Sequence, residues 1–346
     1  MSESGALFAD YLKRHLPAIE SCLSEHMPVL RKRSDQADDL QSFLYGPIAR
    51  FVGSGGKRVR PALCLLGAEA VGAEARMAYP AAAAVELFQA AALIHDDIAD
   101  KSTMRRGEPC LHVSEGTGLA INAGDAALVA VTTSILHADS LDKKTRLKLL
   151  EEIVTMENRT LEGQALDLGW ARDKRWDITV SDYLEMARSK TAYYSAAIPL
   201  ALGAMSGGGD VTQIEGLRRF GLRSGLAFQI QDDLLNLVGN AEAQGKDYRS
   251  DITEGKRTLV MVWALEHLAE HERNELIDIL SAETTDPTLM DRAVQLAVEA
   301  GALDYARTYA RELTDRAKAE LGTLDIAEDT RAVLLSMSDF FIERAN

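Results

Sequence analysis

The sequence of 346 residues has little cysteine, proline or aromatic content, with three cysteines, eight prolines and 6% aromatic residues. Cys22, Cys64 and Cys110 are unevenly spaced and form no metal-ligand pattern, so neither a disulfide framework nor a structural zinc site is expected. The first residues contain no signal-peptide region, and no run approaches 18 apolar residues. We therefore expect a cytoplasmic protein without a membrane span.

Positive charge is also scarce, because 38 Lys and Arg residues face 53 Asp and Glu residues, giving a net charge of -15. This charge argues against general affinity for nucleic acid and against docking on anionic lipid. Any bound phosphate must therefore be held by local clusters of basic residues. The hydrophobic content of 47% is that of a globular protein that can bury a large core.

Strand-type alternation is missing, whereas helix-type periodicity recurs along the whole chain. The pattern predicts helices over these ranges: 5–27, 36–52, 61–71, 77–102, 118–139, 143–168, 180–205, 211–240, 256–282, 287–300, 302–321 and 327–344. No long linker or low-complexity block marks a domain boundary. We predict one all-α domain over 1–346, in which 1–35 forms a peripheral amino-terminal helix.

Two acidic motifs stand at the ends of otherwise apolar helices. They are Asp96-Asp97-Ile98-Ala99-Asp100 and Asp232-Asp233-Leu234-Leu235-Asn236. Residues four apart share one helix face, so stacked carboxylates there repel each other unless a divalent cation or a proton neutralises them. Hard oxygen ligands with no Cys or His cluster nearby favour Mg²⁺. A solvated helix end is the alternative for either motif alone. Two motifs facing each other across a helical bundle would form a metal-lined mouth.

Short basic clusters supply the positive charge that a phosphate requires. Gly55-Gly56-Lys57-Arg58-Val59-Arg60-Pro61 combines a flexible turn with three cations before a helix, although it does not match a Walker loop. Arg105-Arg106 follows the first acidic motif closely enough to reach a phosphate bound there. Lys190, Lys246 and Lys256 are further candidates, but each alone is more often a surface lysine.

These segments occur together in one order: GGKRVRP, DDIAD with RRG, GQALD, KTA, FQIQDD and GKDYRSDITEGKRTL. In that combination the chain resembles the trans-isoprenyl diphosphate synthases, the polyprenyl synthetase family, and within it the geranylgeranyl and farnesyl diphosphate synthases. The resemblance implies a single large helical bundle of the isoprenoid synthase type with a central cavity. It also implies a homodimer.

The resemblance assigns roles to individual positions. Asp96, Asp100 and Asp232 would hold about three Mg²⁺ ions. The allylic diphosphate would be bound by Arg105, Lys190 and Lys246 or Lys256. Isopentenyl diphosphate would be bound by Gly56, Lys57, Arg60, Gln89 and Arg106. Thr191 and Gln229 would direct oxygen dipoles at the allylic cation. Supporting positions are Asp97, Gln164, Asp167, Phe228 and Asp233.

Two positions depart from the family pattern. Asn236 replaces an Asp that many members have, which keeps an oxygen ligand but removes a charge, so we expect reduced or redirected metal contact. Gln89 replaces a His common in long-chain members, and its carboxamide can still donate to a phosphate. His95, next to Asp96, is expected to be structural because it points away from the Asp96 face.

The implied reaction is ionisation of the allylic diphosphate, assisted by metal and cationic side chains, followed by attack of the isopentenyl double bond. The product would grow along the helix upstream of Asp96, where one turn rises about 5 Å. Ala91 and Ala92 are small, and Phe88 is the first large residue on this line. A floor at Phe88 predicts a C20 product, geranylgeranyl diphosphate; alternatively another helix sets the floor.

Four other functions remain open. The same reaction could stop at C15 or continue to C25 and beyond. A class I terpene cyclase also ionises a diphosphate at an Asp-rich helix, but it has no use for GGKRVRP. A non-catalytic modulator subunit typically loses the acidic motifs that this chain keeps. A helical scaffold explains the apolar stripes but not the metal and phosphate residues.

Overall fold

Helices account for almost all regular structure in the computed structural model, which describes residues 5–29, 35–239 and 248–343. The prediction of an all-α fold is confirmed. The chain separates into two compact units. The amino-terminal unit comprises Asp10–Ile153 and Pro199–Ile214, and the carboxyl-terminal unit comprises Met1–Ala9, Val154–Ile198 and Glu215–Asn346. The prediction of one domain over 1–346 stays a prediction.

The amino-terminal unit is built around an alanine-rich central helix. Its elements are α1 (Ala6–His26, from Asp10 onward), α2 (Ala37–Leu40), α3 (Gly46–Gly53), α4 (Val59–Ala70), α5 (Tyr79–Ala99), the hairpin β1 (Met104–Arg105) and β2 (Glu108–Pro109), α6 (Leu111–Ser114), α7 (Thr117–Leu136) and the start of α8 (Lys143–Arg172). Helix α5 packs between α4 and α7. Its Ala81, Ala83, Ala84 and Ala91 are fully buried, because small side chains let neighbouring helices approach closely.

The carboxyl-terminal unit surrounds a second apolar core. Its elements are the rest of α8, α9 (Val180–Ala187), a π-helix (Arg188–Ala197), α11 (Val211–Val238), α12 (Ser250–Thr253), α13 (Leu259–His267), α14 (Glu270–Ser281), α15 (Pro287–Glu299), α16 (Ala302–Leu321) and α17 (Glu328–Ile342). Helix α10 (Ile198–Ser206), between the π-helix and α11, lies almost wholly in the amino-terminal unit. Tyr183, Ile230 and Leu276 are among the side chains of this core with at most 1% exposure.

Two features differ from the helices that periodicity predicts. The predicted helix 256–282 is divided into α13 and α14, because Leu268 and Ala269 adopt extended backbone angles. The hairpin β1–β2 has two-residue strands, which are too short to show an alternating pattern.

Range 1–35, predicted to be peripheral, contains α1, whose Phe8 and Ile19 are at most 1% exposed. One side of α1 therefore belongs to the packed core.

Two helical segments are long and apolar enough to cross a bilayer by length and composition alone, which the count of uninterrupted apolar runs did not detect. In Ala75–Ala99, 78% of the most apolar window is buried, as in the core helix of a globular protein. In Thr117–Leu136 the buried share is 44%. The absence of a membrane span stays a prediction.

Candidate active site

The first acidic motif occupies the last turn of α5 and divides its carboxylates between two environments. Asp96 and Asp100 lie four residues apart and are both half-buried, with the backbone N–H of Asp100 donating to the carbonyl of Asp96 at 2.8 Å. Asp97 between them is 1% exposed and accepts hydrogen bonds from Arg105 Nε at 2.8 and 2.9 Å. Two carboxylates are therefore accessible to a ligand, and the third is committed to an arginine.

The hairpin after α5 carries Arg105 and Arg106 in different roles. Burial alone would lower the pKa of Arg105, but the hydrogen bond and charge of Asp97 outweigh it, so this pKa is raised and the guanidinium stays charged. Arg106 donates from Nη1 to the carbonyl of Gly55. A Cβ on Gly56 would lie 3.2 Å from Arg106 Nη2, so glycine there permits the close approach. The hairpin and the GGKRVRP loop are thus in contact.

The GGKRVRP loop reaches α4 through positive φ angles at Gly55 (93°), Gly56 (140°) and Arg58 (49°). Lys57 is exposed and Arg60 is half-buried, whereas Arg58 is buried. Arg58, Glu86, Gln89 and Arg106 line one narrow crevice. The structure therefore brings together Gln89, Arg106 and the loop that carries Lys57 and Arg60.

Gln89 presents a polar group in this crevice with which a ligand could form a hydrogen bond. Its Oε1 is buried and has no hydrogen-bond partner in the described part of the chain. Since the oxygen and nitrogen of a carboxamide are assigned from their partners, either atom can be turned toward a bound group. A half-buried carboxamide whose oxygen is open to a partner fits a diphosphate subsite.

The second acidic motif lies near the end of α11 in the carboxyl-terminal unit. Asp232 is exposed, whereas Asp233 is 6% exposed. Asp233 accepts hydrogen bonds from Tyr183 Oη and Gln229 Nε2, both at 2.7 Å. Burial, together with the charge of Asp251, raises the pKa of Asp233 to about 8. Asp232 is therefore the accessible carboxylate here, and Asp233 orients Gln229.

Asn236, which replaces an Asp of the family pattern, holds the segment that follows the second motif. Its Nδ2 donates to Ser250 Oγ at 3.1 Å, and its Oδ1 accepts from the backbone N–H of Asp251 at 3.3 Å. Its backbone carbonyl accepts from Arg249 N at 2.8 Å. Asn236 thus bonds the segment 249–251, and the expectation of reduced or redirected metal contact stays a prediction.

Asp251, a half-buried carboxylate in the GKDYRSDITEGKRTL segment, was not among the residues predicted from the sequence. Burial raises its pKa, opposed by the charge of Lys256, whose Nζ lies 3.6 Å from its Oδ1. Lys256 Nζ also lies 2.5 Å from Glu254 Oε2. The repeated Asp spacing in this segment was the available signal. Lys246, a predicted diphosphate ligand, lies outside the described residues.

Lys190 and Thr191 lie in the π-helix, an irregularity that is frequent at functional sites. Lys190 donates to Asp167, and its charge lowers the pKa of Asp167 although burial acts in the opposite direction. A Cβ on Gly163 would lie 2.3 Å from the backbone nitrogen of Lys190, so glycine lets α8 touch the π-helix. Asp167 thus holds the Lys190 side chain, and its supporting role in the reaction stays a prediction.

The predicted chain-length residues occupy different depths of α5. Ala92 is half-buried and one turn from Asp96, whereas Ala91 is fully buried and Phe88 is 3% exposed. Of the two alanines, only Ala92 offers surface to a growing chain. His95 lies against α7, where its Nε2 is 3.4 Å from Asp125 Oδ1, so it contacts protein groups. The floor at Phe88 stays a prediction.

The accessible carboxylates provide a donor set that fits Mg²⁺. Asp96 and Asp100 offer hard oxygen ligands on one helix face, and Mg²⁺ completes its shell with water and substrate phosphate. No cluster of three or more His, Cys, Asp or Glu residues suited to one metal ion occurs within 5–29, 35–239 and 248–343. Asp232 lies in the other compact unit, so the opposition of the two motifs stays a prediction.

An all-α fold with accessible acidic motifs and a basic loop defines a class, the transferases that act on prenyl diphosphates. The family model described as polyprenyl synthetase matches residues 41–297. The chain belongs to the polyprenyl synthetase family, and it is a trans-prenyltransferase that elongates prenyl chains. The family prediction is confirmed, as is the enzyme class.

Three known proteins illustrate the similarity. A short chain isoprenyl diphosphate synthase of Methanothermobacter thermautotrophicus is 38% identical over 331 residues, covering 93% of this chain and 99% of the relative. The crystal structure of geranylgeranyl pyrophosphate synthetase from Pyrococcus horikoshii matches with a TM-score of 0.88 and 30% identity. The match covers 99% of this chain and 100% of the solved chain. A Corynebacterium glutamicum geranylgeranyl pyrophosphate synthase complexed with isoprenyl diphosphate and magnesium matches with a TM-score of 0.81, 28% identity, and 99% coverage of both chains.

Proposed function

We propose that this chain condenses isopentenyl diphosphate head-to-tail with an allylic diphosphate, releases diphosphate, and yields geranylgeranyl diphosphate. One observation carries the proposal. The half-buried pair Asp96 and Asp100 adjoins Arg105, which Asp97 anchors, on the hairpin whose Arg106 touches the GGKRVRP loop. Acceptors for metal and donors for two diphosphates therefore lie side by side in one compact unit. Magnesium is the metal named with a similar enzyme of this family.

The proposed mechanism divides the charged residues between two diphosphates. Asp96, Asp100 and Asp232 would hold about three Mg²⁺ ions, which would supply Lewis-acid stabilisation of the leaving diphosphate. Arg105, Lys190 and Lys256, with Lys246 as a further candidate, neutralise the same group. A committed partner on Arg105 keeps its guanidinium oriented before substrate arrives, so little reorganisation is needed during ionisation.

The acceptor substrate is held by Lys57, Arg60, Gln89, Arg106 and the backbone at Gly56. Oxygen dipoles of Thr191 and Gln229 face the allylic cation, and the Gln229 side chain is oriented by its hydrogen bond to Asp233. Attack by the isopentenyl double bond forms the new carbon–carbon bond. The released diphosphate then accepts the proton that restores the double bond.

Product length and assembly are the finer parts of the proposal. A C20 product is supported by the small residue Ala92 one turn before Asp96, by Phe88 one turn further, and by the geranylgeranyl synthases among the similar structures. A homodimer is supported by α7, where Ile121, Val129 and Leu136 are 43%, 68% and 53% exposed. Their spacing of eight and seven residues places them on one side of the helix.

Incubation of the purified chain with Mg²⁺, isopentenyl diphosphate and each of the C5, C10 and C15 allylic diphosphates, followed by product sizing, tests this function. We expect C20 diphosphate to accumulate. A main product of C15 or of C25 would correct the length but keep the reaction. Hydrocarbon formed from an allylic diphosphate alone would indicate a terpene cyclase. Absence of turnover, restored by adding a second synthase subunit, would indicate a modulator.

A further inference from the structure

Arg58 is the one cation of the GGKRVRP loop to which the reaction assigns no role. Its backbone φ is 49°, a left-handed conformation that is unfavourable for a residue with a Cβ. Its side chain is 2% exposed, in contrast to the exposed Lys57 one residue before it. A strained backbone and a buried guanidinium together require strong compensating contacts.

Three elements of the amino-terminal unit supply those contacts. On α1, Glu20 accepts from Arg58 Nε at 2.7 Å and from Nη2 at 3.3 Å. On α5, Glu86 accepts from Arg58 Nη1 at 2.6 Å. The carbonyl of Val52 near the end of α3 accepts from Nη2 at 2.6 Å. Four of the five N–H donors of the guanidinium are therefore used, and the group is fork-shaped, so it fixes the three partners in one geometry.

These contacts exclude a direct role in holding a diphosphate. Two carboxylates neutralise the single positive charge of Arg58, so the cluster carries a net formal charge of -1. A cluster of that sign does not attract an anion, and four of the five guanidinium donors are already occupied. Arg58 must act through the residues around it.

The residues it reaches are those of the acceptor subsite. Glu86 lies three residues before Gln89, on the same turn of α5, and both line the crevice shared with Arg58 and Arg106. The loop that Arg58 anchors carries Lys57 and Arg60 on either side. The Arg58 guanidinium thus fixes the loop with Lys57 and Arg60 against α5, the helix that carries Gln89.

We propose that Arg58 is a positioning residue for isopentenyl diphosphate, which sets the loop bearing Lys57 and Arg60 against α5 without touching the substrate. This inference rests on the proposed function. The allylic subsite at Asp96 and Arg105 has its own anchor in Asp97, so it does not depend on Arg58. The contribution of Arg58 is therefore specific to one of the two substrates.

The test measures kinetics for each substrate separately in Arg58→Lys, Arg58→Gln and Glu86→Gln. We expect KM for isopentenyl diphosphate to rise about 10-fold or more, with KM for the allylic substrate changed less than about 2-fold, because misplaced binding groups lose affinity for their own ligand. Arg58→Lys keeps the positive charge but loses the fork-shaped guanidinium, so its KM for isopentenyl diphosphate should stay above the wild-type value, as in Arg58→Gln. Arg76→Gln, at an exposed arginine paired with Glu74 in the same unit, is the control and should match the wild type.

A second variant covers the case in which Arg58→Gln does not fold. Glu20 is 43% exposed, and Glu20→Gln keeps an acceptor while removing one charge, so we expect a folded protein with KM for isopentenyl diphosphate raised about 3-fold. Equal changes in both KM values, or a lower melting temperature with neither KM changed, would overturn the positioning role.

Lys57→Gln and Arg60→Gln separate this inference from the proposed function. If they leave KM for isopentenyl diphosphate unchanged, the acceptor subsite itself is misplaced and the proposed function must be revised. If they raise it while folded Arg58 and Glu86 variants do not, the inference about Arg58 alone is wrong.

Discussion

Neighbouring residues of one motif can have opposite tasks, as Asp96 and Asp97 show. Asp96 is half-buried on the face shared with Asp100, while Asp97 turns inward to Arg105. Asp232 and Asp233 divide in the same way, since only Asp233 is buried and bonded to Tyr183. In each pair the accessible carboxylate is the proposed metal ligand, and the buried one bonds a side chain that we propose binds substrate.

Asp96→Asn should lower kcat about 100-fold or more, because it removes a carboxylate that we propose holds metal against the leaving group in the transition state. The effect is measured with saturating substrates over a Mg²⁺ titration. Asp139→Asn, at an exposed carboxylate of the same unit, is the control and should behave as the wild type. Full activity of Asp96→Asn at low Mg²⁺ would contradict the assignment of this residue.

Ala92→Phe should shorten the main product towards C15, because a phenyl ring one turn from Asp96 fills the path of the growing chain. The reverse change, Phe88→Ala, should lengthen products by about one isoprene unit, since one helical turn rises about 5 Å. Both are read by sizing products formed under identical conditions. If Ala92→Phe leaves the distribution of product lengths unchanged, the growing chain follows another path. If Phe88→Ala leaves it unchanged, another helix forms the floor of that path.

At the scale of elements, the start of α1 and the end of α17 pack together in the carboxyl-terminal unit. Phe8 meets Phe340 and Phe341 edge-on at centroid distances of 5.3 and 6.2 Å. Phe341 in turn lies 4.9 Å from Phe228, one turn before Asp232 on α11. The two ends of the described chain thus support the helix that carries the second acidic motif.

Phe8→Ala should destabilise the protein by about 3 kcal/mol, because it removes a ring with no exposed surface from this cluster and leaves a cavity. Leu7→Ala is the matched control, since the adjacent Leu7 is 55% exposed and should change stability by less than about 0.5 kcal/mol. Denaturant titration of both variants measures the difference. Equal changes in the free energy of unfolding in the two variants would show that the buried Phe8 ring contributes no more to stability than the exposed Leu7.

Most helices follow from local periodicity, and the exceptions have tertiary causes. Ranges such as 302–321 and 211–240 were predicted within two residues of α16 and α11. The break between α13 and α14 carries no Gly or Pro, so it could not be read from turn-forming residues. The hairpin after α5 is held by Arg105 bonding to Asp97 and Arg106 bonding to Gly55, contacts that no local pattern announces.

At the scale of the whole molecule, the exposed apolar side of α7 is the feature that supports a homodimer. Ile121, Val129 and Leu136 lie on one side of a helix whose opposite side packs on α5. Burial of such surface against a second copy is favourable by about 25 cal/mol per Å².

Val129→Glu should therefore shift the protein towards monomer, because it places a charge within the proposed contact. Light scattering after size-exclusion chromatography measures the mass over a range of concentrations. Leu289→Glu, at an exposed leucine of α15, controls for an added acid elsewhere and should leave the mass unchanged. A wild-type protein that is monomeric at all concentrations, or a Val129→Glu variant with the wild-type mass, would refute this interface.

The sequence by itself determined the helical class, the order of the helices, the family and the motifs that carry the chemistry, because periodicity and motif spacing are local properties of a chain. Only the tertiary structure decided which member of each motif faces inward. Asp97 is buried because Arg105 meets it, and Arg58 is buried because Glu20 and Glu86 converge on it from two other helices. Such partners are eight to 38 residues away in sequence, so folding alone brings them together.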